Sequence, residues 1–565
     1  MSPTRISVRE VPRAAEKALQ VAGVHPVLAR VFAARGITEA RQLDLALTDL
    51  PSWQGMKGID AAAARLALAL MNQERMLIVA DYDADGATAC ALAVLVLRAL
   101  GGEVDYLVPN RFEFGYGLTP EIVALAAQRE PRLIVTVDNG IASVEGVSAA
   151  AARGIEVLVT DHHLPGELLP EPAIIVNPNQ PGCPFPSKNL AGVGVMFYVL
   201  LALRARLRES GWFASRPEPR LAEYLDLVAL GTVADVVKLD PLNRILVQHG
   251  LQRLRAGRAR PGLRMLLAAA GRDAPKLSGF DLGFVLGPRL NAAGRLADMS
   301  VGIRCLLAED EDSALPLAME LDRLNRERKT LEADIHDEAL AEVDALAVDE
   351  RFSLVLFRPE WHQGVVGIVA SRLKDRFHRP AIVFADAGDG TLKGSGRSIR
   401  ALHLRDALDR VAKLDPTLIR RFGGHAAAAG LSLPADGLAR FSALFEQAVR
   451  EALLPADLAR VVETDGSIPA GEITLQLAQL LATPLWGQAY PPPAFVDEFR
   501  VLRQSLVGEK HLRLSLSREG KVFEAMLFRH ASPLPEHIRA VYRPERNEYQ
   551  GTLRLQLILE HWLPV

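Results

Sequence analysis

Cysteine is scarce in this chain: three among 565 residues, at Cys90, Cys183 and Cys305, far apart and without C-x-x-C spacing. That excludes a disulfide framework and a thiolate zinc site, and it suits a reducing compartment, so the chain is expected in the cytoplasm. Long apolar runs are also missing. The most apolar stretches, ACALAVLVLRAL (89–100) and GVGVMFYVLLAL (192–203), fall short of the roughly 20 residues a membrane span needs, and Arg98 interrupts the first. Both read as buried helices, and no membrane partner is expected. The opening residues have no apolar core of the kind a signal peptide carries. Charge of one sign is not in excess either, with 65 basic and 68 acidic residues for a net −3. This disfavours a protein that coats nucleic acid and leaves room for an enzyme with a local basic groove. No internal repeat or low-complexity tract is present.

What remains is an ordinary globular composition, 49% hydrophobic and 24% charged, at a length that implies about three or four domains. Residues 1–50 read as short amphipathic helices. From about residue 75 continuous apolar runs, MLIVA (76–80), LIVTV (133–137), EVLVT (156–160) and AIIV (173–176), alternate with helical stretches. Short runs without polar alternation are the mark of parallel strands covered on both faces, which predicts a doubly wound α/β domain over 51–305. A long helical connector is expected over 306–345, then a second, smaller α/β domain over 346–455 with FSLVLFR and AIVFAD as strands. After about residue 455 the text turns β-rich, and five or so short strands predict a small OB-like barrel over 456–565.

The carboxylates fall at revealing places. Strand 76–80 runs into Asp81-Tyr82-Asp83-Ala84-Asp85-Gly86, strand 133–137 into Asp138-Asn139-Gly140, and strand 156–160 into Asp161-His162-His163. Open α/β sheets place their ligand sites at the carboxyl ends of strands. Asp235, at the end of LAEYLDLVALGTVAD, can approach from the neighbouring lobe. Each piece alone has a plainer reading, since an Asp after a strand often caps a helix. A calcium loop of the D-x-D-x-D-G-x5-E kind is excluded, because Leu92 stands where the Glu is required. So many carboxylates at close quarters raise one another's pKa unless cations neutralise them. Oxygen ligands with one or two imidazoles suit two divalent cations, manganese or magnesium, and hence metal-assisted phosphodiester hydrolysis.

D-Y-D-A-D-G, V-D-N-G, D-H-H and G-T-V-A-D-V, followed by W-H-Q-G-V-V-G-I-V-A-S (361–371), G-S-G-R-S (394–398) and G-G-H-A-A-A-A-G (423–430), resemble the DHH phosphoesterase superfamily. G-P-R-L-N-A-A-G-R (287–295) and the β-rich end point to its single-strand-specific 5′→3′ DNA exonucleases, which act in DNA repair and recombination. The resemblance implies that Asp83, Asp85, Asp138, His162 and Asp235 ligate two cations, with Asp138 bridging both. Many relatives carry a histidine where this chain has Val79, and Asp81 is expected to substitute there. His163 is expected to face the scissile phosphate. Arg289, Asn291 and Arg295 are expected to grasp the strand. Ser395, Arg397, Gly424 and His425 would cradle phosphate, with a helix starting after G-G-H. The loop Asn110–Gly117, one arginine among three aromatics, is a candidate for stacking bases. The partner implied is single-stranded DNA, with a helicase and a single-strand-binding protein as further candidates, the chain itself acting as a monomer. The runner-up reading is a phosphodiesterase for short oligonucleotides or 3′-phosphoadenosine 5′-phosphate. A scaffold that has lost catalysis is disfavoured because the ligand carboxylates are present.

Overall fold

The computed structural model describes residues 4–110, 117–344, 350–388, 390–549 and 551–565. The chain opens on a strand, Thr4–Val8 (β1), where helices alone were expected; the short helices follow at Arg13–Val21 and Pro26–Ala33. The reason is long-range pairing, discussed below, which short amphipathic patterns do not report.

The larger of two compact units comprises Arg9–Leu324 and Thr464–Val565. Its sheet is built from Met76–Ala80 (β2), Val104–Leu107 (β3), Leu133–Val137 (β4), Glu156–Thr160 (β5) and Ile174–Val176 (β6), in the order β3-β2-β4-β5-β6. All four pairings are parallel. Alternate side chains leave the strands on opposite sides. Met76, Ile78, Val135 and Val137 join a core with the helices Ile59–Met71, Ala84–Ala99 and Gly192–Glu209. Leu77, Val79, Ile134 and Val159 join another with Pro120–Ala127 and Val144–Ala151. Burial on both faces explains why these strands read as unbroken apolar runs. The two apolar stretches of the sequence are the helices Ala84–Ala99 and Gly192–Glu209, as their burial required. No described helix is long and apolar enough to cross a membrane.

The helix Glu311–Asp344 starts in this unit and continues into the smaller one, which comprises Asn325–Glu463 with β1. The smaller unit has Leu354–Phe357 (β7), Ala381–Asp386 (β8), Thr391–Arg397 (β9), Arg421–Gly424 (β10) and Ala428–Pro434 (β11), ordered β10-β11-β9-β8-β7. Here the expectation of a helix after G-G-H is corrected. Ala428–Pro434 is a strand, paired antiparallel with both β10 and β9. Leu431 and Leu433 enter the core with Phe384 and Phe441, and that packing overrides the helical preference of the alanines. Arg460–Thr464 (β12) pairs with β1.

The last five strands, Phe495–Val507 (β13), His511–Arg518 (β14), Lys521–Leu527 (β15), His537–Tyr549 (β16) and Thr552–Pro564 (β17), close into a barrel. Closure removes exposed edges. A buried Asp497 accepts from Tyr542 Oη at 2.8 Å and pairs with Arg518 at 2.7 Å. Before the barrel, the β-rich reading is interrupted by a helix, Leu475–Ala482, which packs on β16. The N-terminal helices and the segment before the barrel are tied by Arg35, whose guanidinium bonds both oxygens of buried Asp465 at 2.7 and 3.0 Å.

Candidate metal centre

Each ligand candidate is delivered by a distinct local device. Asp83 ends the turn after β2 and caps the helix Ala84–Ala99, its Oδ1 accepting the N–H groups of Asp85 and Gly86 at 2.9 and 3.0 Å. The cap uses one oxygen, which leaves the other able to serve as a ligand. Asp85, buried, accepts the N–H groups of Gly192 and Val193, the first residues of the next long helix, the latter at 2.9 Å. A helix N-terminus is suited to hold a carboxylate.

Asp138 sits in the left-handed region, φ 63°, which is strained for a residue with a side chain. Asn139 fixes it by donating to the carbonyls of Val79 and Val137 at 3.1 and 2.9 Å, while Thr136 Oγ1 donates to Asn139 O at 2.7 Å. A Cβ on Gly192 would stand 2.5 Å from the Asp138 Cβ, so only glycine lets the helix come so close. Gly231 plays the same part on the far side, where a Cβ would lie 2.8 Å from Asp85 Oδ1. That close approach brings Asp235, at the end of the helix Leu225–Ala234, into the group.

The result is one contiguous cluster. His162 Nε2 lies 3.1 Å from Asp138 Oδ1 and 3.4 Å from Asp235 Oδ2. Ligand atoms of Asp81, Asp83 and Asp138 lie within 4.8 Å of one another, as do those of Asp85, His162 and Asp235, and those of Asp138, His162 and His163. Asp138, between the groups, is placed to serve two cations. Val79 points into the core of β2, and Asp81 stands beside Asp83 where it can supply an oxygen instead. Burial, and then the charges of Asp85 and Asp83, hold the Asp138 carboxyl well above the usual carboxylate range. Asp235 is pushed the same way by burial and by the same two neighbours. Asp85 is raised to about 7 by burial and by Asp83. Asp235 Oδ2 is buried and accepts no hydrogen bond from the described residues. Buried acceptors of this kind with raised pKa values fit divalent cations, and an all-oxygen and imidazole donor set fits manganese or magnesium.

Asp161, the first letter of D-H-H, organises the loop. Its Oδ1 accepts the N–H groups of His162 and His163 at 2.7 and 3.1 Å and lies 2.8 Å from His163 Nδ1; its Oδ2 accepts Ile141 N–H at 2.9 Å. Burial opposes the charged form of His163, but Asp161 outweighs it and lifts the imidazole to about 9. Asn177 and Asn179 donate to the carbonyls of His163 and His162 at 2.9 and 2.6 Å. The signal available for these residues was adjacency to the motif, which carries no geometry.

Of the residues expected to grasp the strand, Arg289 and Asn291 both have partners within the fold. Arg289 is largely buried, its Nε and Nη2 on Asp322 at 3.0 and 2.8 Å and its Nη1 on Val285 O at 2.7 Å. Asn291 Oδ1 accepts Ala84 N–H at 2.8 Å, bracing the turn that carries Asp83 and Asp85. Arg295 lies half-buried on the same helix, Gly287–Leu296. The candidate stacking loop lies outside the described residues over 111–116.

Within the smaller unit, Ser395 and Arg397 lie on β9, and Gly367 in the first turn of the helix Val366–Phe377 faces them. A Cβ on Gly367 would stand 3.0 Å from Ser395 Oγ and 3.2 Å from Arg397 Nη2. A helix N-terminus, a hydroxyl and a guanidinium converge, as phosphate binding requires. Gly424 (φ 140°) and His425 form the tight β10–β11 turn, His425 N–H donating to Ala428 O at 2.8 Å.

Comparison with known proteins matches three segments of the chain to known domains. Residues 75–232 match the DHH family, N-terminal domain, residues 351–451 the DHHA1 domain, and residues 464–561 the RecJ OB domain. The chain is 52% identical to the single-stranded-DNA-specific exonuclease RecJ of Dickeya dadantii, over 95% of this chain and 96% of that one. It is 50% identical to the Escherichia coli protein of that name, over 96% of each. Among solved structures, RecJ of Thermus thermophilus in complex with Mn2+ superposes with a TM-score of 0.85 at 32% identity, covering all of this chain and 80% of that one. The same protein with Mg2+ gives 0.79 at 30% identity, covering all of this chain and 79% of that one. The chain belongs to the RecJ family of DHH phosphoesterases.

Proposed function

We propose that this protein is a metal-dependent exonuclease that hydrolyses single-stranded DNA in the 5′→3′ direction, in DNA repair and recombination. The observation that carries the reading is the cluster of Asp83, Asp85, Asp138, His162 and Asp235 at the carboxyl edge of a parallel sheet, in a chain half identical to named RecJ exonucleases. These five residues would hold two manganese or magnesium ions, with Asp81 as a further oxygen donor. When bound, the cations polarise the phosphoryl oxygens, lower the pKa of the attacking water and stabilise the leaving oxygen. The chain's own residues bind and orient. His163, charged and held by Asp161, is placed to donate to a phosphate oxygen. Arg295, and in the smaller unit Ser395, Arg397, Gly424 and His425, would take backbone phosphates. The alternative, a phosphodiesterase confined to short oligonucleotides, does not account for the barrel at 495–564. The protein would work in the cytoplasm as a monomer, with a helicase and a single-strand-binding protein as partners.

The test is a time course on end-labelled single-stranded and duplex DNA, with manganese and with chelator, for the wild type and Asp138→Ala. Stepwise loss of the 5′ end of single strands, abolished by chelator and by the substitution, is expected. Activity limited to di- to pentanucleotides, or an Asp138→Ala rate above a few per cent of wild type, would overturn the reading.

A further inference from the structure

A cleft of about 730 Å³ opens in the larger unit between the segment that follows Val233, the turn carrying Phe280 and Phe284, and the barrel side at Trp486 and Arg543–Arg546. Two of its walls are out of keeping with a protein surface. Phe280 and Phe284 are 59% and 68% exposed, and their rings stack with centroids 4.7 Å apart and planes at 18°. Burying such a side chain is stabilising, so leaving two in water has no basis in stability. The rings are also held in place. Phe280 lies in the turn Gly279–Asp281 and Phe284 in the short π-helical turn that follows, Leu282–Leu286; a Cβ on Gly283 would stand 3.2 Å from Val233, while one on Gly287 would stand 3.0 Å from Ala234. The next residue along that neighbouring segment is Asp235, so the platform is locked to a member of the metal centre.

Its electrostatics point the same way. Arg255, Arg543 and Arg546 line the cleft, and Glu545 is the single acidic residue among its described lining. Arg543 already pairs with Glu545 and Glu560, at 3.2 and 2.9 Å, which leaves the cleft basic. Stacked aromatic faces beside arginines are the chemistry of sequence-tolerant single-strand binding, because every base presents a π-face and every nucleotide a phosphate.

We propose that this cleft is a base-stacking subsite for the single strand, with Phe280 and Phe284 as the platform and Arg546 as a phosphate contact, extending the metal centre toward the barrel. The inference rests on the functional reading above and assigns a path for the strand that the ligand cluster does not. The occupant is nucleic acid; a second copy of the chain or an apolar peptide is an outcome of the test.

The experiment uses the full chain and a labelled oligodeoxythymidylate of about 20 nucleotides, longer than one barrel site. Affinity is read in EDTA and KM in manganese for the wild type, F280L/F284L and F280W/F284W. Leucine keeps the apolar volume and removes the π-face, so its binding should weaken roughly 5- to 150-fold, the equivalent of one stacked base, whereas tryptophan should restore it. Melting temperatures of both variants control for folding. As a measurement independent of substitution, a 5-iododeoxyuridine strand should photocrosslink to the peptide holding Phe280 or Phe284. Leucine and wild-type affinities that agree, with no crosslink there, would overturn the subsite, as would a change in sedimentation without a change in strand binding. A wild type that neither binds nor cuts single strands would sink the functional reading and the subsite together; a wild type that does both isolates the failure to the subsite.

Discussion

Asn291 Oδ1 accepts the backbone N–H of Ala84 at 2.8 Å, so a residue more than two hundred positions away fixes the turn between the two aspartates of the first motif. Asn291→Ala leaves that N–H without its acceptor, at a cost of about 1–3 kcal/mol. Because the loss falls on the turn that aims Asp83 and Asp85, the single-turnover rate should drop while the dissociation constant for a long strand changes little. Urea unfolding and rapid-quench kinetics check this, and a rise in KM at unchanged kcat would return Asn291 to the strand.

Asp161 is in none of the candidate cation groups, yet it holds both histidines of its motif through three contacts of its Oδ1, while its Oδ2 accepts Ile141 N–H. Asp161→Ala should lower metal affinity or activity about 10–100-fold, the usual consequence of removing a residue that orients a ligand. The discriminating readout is rate against manganese concentration. Orientation of His162 predicts partial recovery at high manganese; complete insensitivity to the metal would show that Asp161 serves folding alone.

The carboxyl of Asp85, raised to about 7, makes the metal-free protein sensitive to pH in a definite direction. A group whose folded pKa lies above its unfolded value of about 3.9 binds protons in the native state that the unfolded chain has lost, so stability falls as pH rises through that window. In EDTA the chain should therefore become more stable as pH drops from about 7 toward 4, relative to Asp85→Asn, which removes this slope. Added manganese should stabilise the wild type at neutral pH, by about 2.7 kcal/mol at one hundred times Kd, and much less in the variant. Calorimetric scans across pH measure both effects. Identical slopes for the two proteins would mean that Asp85 titrates as an ordinary carboxylate.

Gly294 packs its bare Cα against the same turn, where a Cβ would stand 2.0 Å from Tyr82 O. Gly294→Ala should destabilise the larger unit by about 1–3 kcal/mol, as overpacking does, even though alanine favours helix. Chemical denaturation decides the sign, since a gain in stability would show that the turn yields freely.

The centre was legible in the sequence to the extent that it is written in strand ends. Asp83, Asp85, Asp138 and His162 each follow a continuous apolar run, and a parallel sheet gathers such positions whatever its strand order. Asp235 needed the close approach at Gly231, which periodicity does not encode. Two arginines and an asparagine on one short helix suggest substrate groups; the sequence does not show that this helix also packs on the first motif and that the packing engages Asn291. The strand Ala428–Pro434 was hidden by alanines whose local preference is helical, and Phe280 and Phe284 by a spacing that in most helices marks a buried stripe.

The pairing of β1 with β12 has a bearing on synthesis. Thr4–Val8 is completed by a partner that is synthesised far later and ends at residue 464. At roughly 5–20 residues per second, the ribosome leaves Thr4–Val8 waiting about 20–90 s before its edge is covered. Changes within Thr4–Val8 would therefore be felt at β12, far along the sequence, before they were felt in the helices that follow next.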